Sequence, residues 1–84
     1  MQTRRKQETL ALVVAFDSTA SALAFAQHAK AEQFTGRLIP IPRTLSAGCG
    51  MAWRNTLDQR EQIDQLIARI HIDDARVVEM MLRA

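Results

Sequence analysis

"RLIPIP", residues 37–42, reads as a β-strand that lacks two of its hydrogen-bond donors. Leu38, Ile39 and Ile41 are the apolar side chains of a half-buried strand, yet Pro40 and Pro42 have no main-chain N–H. Main-chain N–H groups point alternately to the two sides of a strand, so prolines two residues apart disarm the same side. The other side, through Ile39 and Ile41, keeps its donors. The segment is therefore predicted to be a sheet edge, paired on one side and protected from edge-to-edge association on the other.

Upstream, "LALVVAF" (10–16) is a short, nearly continuous apolar run, the pattern of an interior strand. It ends at Asp17 and Ser18, both good helix N-caps. "STASALAFAQHAKAEQ" (18–33) follows, rich in alanine, with Ala22, Phe25, Ala26 and Ala29 on one face at helical spacing. Small residues on that face let the helix lie close to a sheet, and Gly36 closes the unit. Downstream, "MAWRN" (51–55) is the returning strand of a hairpin. Asp58-Gln59-Arg60-Glu61 has the form of a capping box with Asp as the cap. Ile63, Leu66, Ile67 and Ile70 then mark an amphipathic helix. "HIDDA" (71–75) interrupts it, and "RVVEMML" (76–82) reads as a last strand, the alternative being a short helix capped by Asp73 or Asp74. Strand, helix, strand, strand, helix, strand is the split βαβ arrangement of ferredoxin-like domains. The predicted class is α+β, an antiparallel sheet of order 4-1-3-2 with two helices on one face. Its second strand is an edge, where the prolines place it.

A chain of 84 residues with 48% apolar content is one small domain with a modest core. The sole cysteine excludes an internal disulfide. No apolar run approaches the ~20 residues of a membrane span, and the basic start lacks the features of a secretory signal, so no membrane association and a cytoplasmic location are expected. Residues 1–8 hold Arg4, Arg5 and Lys6 against Glu8, so the formal charge of +2 belongs to this tail and the remainder is neutral. The reading is a flexible basic tail (1–8) and a single domain (9–84). A solvated arm explains such a tail better than a nucleic-acid site. Leu12, Val14 and Phe16 alternate with Ala11, Val13 and Ala15, so both faces of the first strand are apolar. Helices cover only one of them, which predicts a homodimer or hetero-complex through the open sheet face.

In this topology three connections share one end of the sheet. They are the turn at Asp17, Ser18 and Thr19, the hairpin "SAGCG" (46–50), and the turn from His71 to Asp74. Cys49 is thereby brought toward the first helix's N-terminus, whose partial positive charge favours a thiolate. Arg43 and Arg54 flank the hairpin and would add to that, and Asp17 would oppose it. The ordinary reading is a cysteine used as a small buried hydrophobe. Flanking Gly48 and Gly50, with no apolar neighbour within "SAGCG", weigh equally for an accessible, reactive thiol, and the residues alone leave both readings open. His71 is a weaker candidate for a Cys–His pair, and His28 reads as solvated. One cysteine and two separated histidines do not make a zinc site, and nothing in the chain implies a cofactor. Trp53 and Phe34 read as core, and the paired sheet aromatics of an RNA-binding domain are missing.

"IPIPRTLSAGCGMAWR" (39–54) resembles the motif of small bacterial domains described as selenium/sulphur carrier-like proteins. Pro40, Pro42, Arg43, Leu45, Ser46, Cys49, Gly50 and Arg54 stand at the motif's places in order. The similarity covers residues 10–55 well and the remainder loosely, while the basic tail and Trp53 depart from the pattern. The resemblance implies a carrier rather than an enzyme turning over a free substrate. Cys49 would take sulphur or selenium from a donor protein as a persulphide or selenyl sulphide and pass it to an acceptor protein. Gly48 and Gly50 would admit a partner's cysteine, Ser46 and the loop amides would hydrogen-bond the terminal atom, and Arg43 would offset its charge. The alternative is a small interaction or regulatory domain with no covalent chemistry, docking through Pro-x-Pro-Arg and the glycine loop.

Overall fold

The computed structural model of the chain describes residues 8–45 and 48–83. Four strands and two helices follow in the order β1 (Glu8–Phe16), α1 (Thr19–Ala31), β2 (Arg37–Pro40), β3 (Met51–Asn55), α2 (Arg60–Arg69) and β4 (Ala75–Arg83). A turn of 3-10 helix, Leu57–Gln59, leads into α2. The protein is thus α+β, with one four-stranded antiparallel sheet of order β2-β3-β1-β4.

β1 is hydrogen-bonded on both sides and carries the core. Leu12, Val14 and Phe16 on one face join Trp53 of β3, Ala22, Phe25, Ala26 and Ala29 of α1, and Ile63 and Leu66 of α2. Phe16, Phe25 and Trp53 form a run of tilted and edge-on contacts with centroids 5.5 and 5.7 Å apart. Alanines on the inner face of α1 let the helix lie close to these rings. Trp53 is fully buried, as core was expected to be. Its indole N–H donates to Asn55 Oδ1 at 2.8 Å. Asn55 in turn donates to Gln59 Oε1, which also accepts from the Thr35 amide. This satisfied network ties the α1–β2 and β3–α2 connections together at the end of the sheet opposite Cys49.

β2 is an edge strand, as the prolines require, but it ends at Pro40 rather than at residue 42. The Ile41 amide still donates to the Gly50 carbonyl at 2.9 Å, so the amide positions of 40 and 42 point outward. Pro42 instead opens a turn in which its carbonyl accepts from the Leu45 amide. Residues 76–82 are strand, within a β4 of nine residues, and not a helix. β1 starts at Glu8, so that residue belongs to the sheet and not to the tail. The basic tail itself lies outside the described residues.

Two expectations are corrected. Asp58 does not cap α2: the N-cap is Gln59, no side chain bonds there, and Asp58 lies within the 3-10 turn that delivers the chain to the helix. Nor is the middle of the open sheet face bare. Ala11, Val13, Ala15 and Ala52 are at most 3% exposed although they lie outside the helix-side core. On the same face Arg54 stands opposite Val13 and donates across β1 to the Arg83 carbonyl at 2.7 Å.

Candidate functional site

The strand registers place Phe16, Met51 and Ala75 at one end of the sheet, so the β1–α1 turn, the β2–β3 hairpin and the α2–β4 turn meet there. Two contacts weld the three together. Asp74 Oδ2 accepts from the Asp17 and Ser18 amides at 3.1 and 3.0 Å. Gly48 lies so close to the β1–α1 turn that a Cβ on it would stand 2.5 Å from the Asp17 carbonyl oxygen. Ser18 is the N-cap of α1, its hydroxyl accepting from the Ser21 amide at 3.1 Å. Partial burial would raise the Asp74 pKa. Hydrogen bonds from Ser21, its own main chain, Ser18 and Asp17 outweigh that, and the carboxyl titrates below its ordinary value of 3.8. The carboxylate expected near the start of α1 is thus supplied chiefly by Asp74, not by Asp17.

Cys49 lies in the hairpin next to this junction, half-buried, with its side chain packed against the edge of the core. Among the described residues its sulphur bonds to the main chain of Met51 in both directions. The thiol donates to the Met51 carbonyl at 3.2 Å, and the Met51 amide donates to Sγ at 3.3 Å. Gly50, exposed, has φ of +72°, a left-handed conformation that any other residue adopts at a cost. That conformation turns the chain so that Met51 can face the sulphur while Gly50 accepts from Ile41. The two glycines therefore do different work: Gly48 permits close approach to the neighbouring turn, and Gly50 permits the reversal.

The remaining expected residues are distributed unevenly. Arg43 is exposed in the turn after β2, in the same loop as Cys49. Ser46 lies outside the described residues. Arg54 does not come to the cysteine: its guanidinium reaches the Arg83 carbonyl, eight residues along β4 from the Cys49 end, or about 26 Å at strand rise. His71 has φ of 58° and lines a depression beside α1 with Ala20, Ser21, Asp73 and Asp74, and Cys49 is not among its lining residues. His28 is exposed near the end of α1. Among the described residues no group of three or more His, Cys, Asp or Glu side chains is arranged to hold a metal ion. No helix among them is long and apolar enough to cross a membrane. Met51 and Asp74 were the contributors that residue types did not disclose. Met51 acts through its main chain, and the Asp74 contact joins positions 57 residues apart.

A small α+β domain with its one cysteine held on a glycine-flanked hairpin at the end of the sheet is the class that fold and site define. The chain belongs to the family described as "Putative Se/S carrier protein-like", whose model matches residues 11–79. No curated protein and no solved structure matches it.

Proposed function

We propose that this protein carries sulphur or selenium on Cys49 between a donor and an acceptor protein. The observation that carries the reading is the sulphur's setting. It is half-buried at a loop, and among the described residues it is hydrogen-bonded to the main chain of its own hairpin. Membership of the family supports it. In the thiolate the Cys49 proton is gone, so the bond to the Met51 carbonyl is lost while the Met51 amide still donates to sulphur. The thiolate attacks the outer sulphur of a donor persulphide. A Cys49 S–S bond forms, the donor's S–S bond breaks, and the donor leaves as a thiolate. No net oxidation occurs. An acceptor thiolate repeats the exchange on the outer atom, and a selenyl sulphide behaves in the same way. In this proposal Arg43 and Ser46, of the same loop in sequence, would offset the charge of the transferred atom and hydrogen-bond it, and the exposed Gly48 and Gly50 leave room for a partner's cysteine. A cytoplasmic setting, which keeps a lone thiol reduced, suits this chemistry.

One observation favours a second reading: the Cys49 side chain packs against the core, as a structural cysteine does. In that case the hairpin is a docking element and the sulphur only fills space. The two readings separate on one experiment. The purified protein is incubated with a cysteine desulphurase and cysteine, and its intact mass is taken. Gain of one sulphur atom, reversed by reductant and absent in a folded Cys49→Ser variant, is the expected result. A folded protein that gains nothing and whose Cys49 resists alkylation returns the cysteine to packing, and Arg43→Ala then becomes the variant expected to abolish docking.

We also infer that the arrangement is the split βαβ of ferredoxin-like domains. Supporting this are the sheet order, which read from the β4 edge runs β4-β1-β3-β2, and the packing of both helices on one core.

A further inference from the structure

The sheet face away from the helices is basic at the end opposite Cys49. Strand pairing fixes which residues share that face. Thr9, Ala11, Val13 and Ala15 of β1 stand with Ala52 and Arg54 of β3, Arg37 and Ile39 of β2, and the residues of β4 opposite them. Among the described strand residues the two carboxylates, Glu8 and Glu79, fall on the other face, in register with Arg83 and Leu12. Arg37 and Arg54 are directly opposed partners of β2 and β3. Opposed side chains on neighbouring strands start about 5 Å apart, and like charges there repel. Among the described residues no Asp or Glu carboxylate is bonded to either guanidinium, and Arg54 uses one N–H for the Arg83 carbonyl.

Beside this pair the sheet has a notch. β3 stops at Asn55, opposite Leu12, while β1 continues back to Glu8 paired only with β4. Alternate main-chain N–H groups of residues 8–11 therefore face a gap and not a strand. The notch is a cavity of about 130 Å³ lined by Thr9, Ala11, Thr35, Arg37, Arg54 and Thr56 among others, and no Asp or Glu is among its described lining residues. Two arginine side chains, threonine hydroxyls and strand N–H donors lining such a volume suit a small tetrahedral oxyanion in charge and size, with the remaining N–H groups of the Arg54 guanidinium free of the Arg83 carbonyl bond.

We propose that this notch binds an oxyanion of the phosphate class, with Arg37 and Arg54 as its principal ligands. The anion offsets the repulsion between the two arginines. The site stands apart from the carrier reading, since it lies at the other end of the sheet from Cys49.

Inorganic phosphate is the probe, titrated at constant ionic strength against chloride and followed by calorimetry and amide chemical shifts. The expected result is saturable one-to-one binding that perturbs Thr9, Thr35 and Arg37, with affinity at least tenfold weaker in Arg37→Gln. Without phosphate, Arg37→Gln melts no lower than the native protein, because the repulsion is relieved. With phosphate, only the native protein gains melting temperature. Binding that does not saturate, or that Arg37→Gln leaves unchanged, overturns the proposal. A single-stranded oligonucleotide that binds more tightly than phosphate through the same amides overturns the small-anion assignment in favour of nucleic acid.

Discussion

At Cys49 the hydrogen bonding is asymmetric with respect to ionisation. The thiol holds the Met51 carbonyl as donor and the Met51 amide as acceptor, and only the second bond outlasts loss of the proton. The Met51 amide of this loop can therefore bond the sulphur in either protonation state. Holding that loop against the β1–α1 turn is the task of Gly48, where a methyl group would fall 2.5 Å from a main-chain oxygen. Backbone cannot swing aside as the tip of a long side chain can. Gly48→Ala is therefore expected to displace the hairpin and destabilise the fold by about 1–3 kcal/mol, the usual cost of overpacking. Urea denaturation measures it, and the rate of Cys49 alkylation in the native state should rise at the same time. An unchanged rate would mean that the contact with Asp17 does not position the thiol.

Among the elements, the junction of three connections depends on Asp74. Its carboxylate organises the β1–α1 turn only while ionised, and its pKa in the folded protein lies below the ordinary 3.8. A depressed folded pKa stabilises the native state above the unfolded value. That contribution is lost as pH falls through the folded value. The stability difference between the native protein and Asp74→Asn should then be flat from neutral pH down to about pH 5 and shrink below pH 4. Chemical denaturation across that range tests it, and a difference independent of pH would show that the carboxylate charge contributes nothing. The sheet edges are handled differently. β2 is blunted by prolines, whereas β4 is nine residues long with no partner strand on its outer side among the described residues, carrying Arg76, Glu79 and Arg83 as charged gatekeepers. β2 pairs over only four residues, which leaves the hairpin beyond it as the weakest part of the ladder.

Over the whole molecule, stability is graded from the middle of β1 outward. Leu12, Val13 and Val14 are fully buried in a strand bonded on both sides, and rings from β1, α1 and β3 meet on its helix-facing side. Among the described residues the Cys49 hairpin is held at its base by the bond from the Ile41 amide to the Gly50 carbonyl, just beyond the end of β2. Native-state hydrogen exchange should find the amides of residues 12–14 exchanging only on global unfolding. The Ile41 and Leu45 amides should exchange at least about tenfold faster. A carrier needs such a gradient, because its loop must open to partners while the scaffold holds. Protection at Ile41 equal to that at Val14 would describe a rigid loop and favour the packing role for the cysteine.

Much of this was legible in the residues themselves. The prolines of β2 mark an edge because a missing N–H is a local property that no tertiary contact restores. The apolar run of β1, the alanine face of α1 and the spacing of Ile63 and Leu66 likewise declare their elements through short-range periodicity. Cys49 drew attention through its glycines for the same reason. What the residues could not declare depends on distance in the chain. Asp58 looked like a cap, yet a 3-10 turn took the chain past it, because Gln59 is held by Asn55 and Thr35. Arg54 looked like a neighbour of Cys49, yet β3 carries it to the far end and across β1 to Arg83. Val13 and its small neighbours read as bare from the pattern, yet they are buried in the single chain. Local pattern determined which elements form. The direction of a long, flexible side chain and the partner of a distant carboxylate are decided by packing energies that exist only once strands and helices have met.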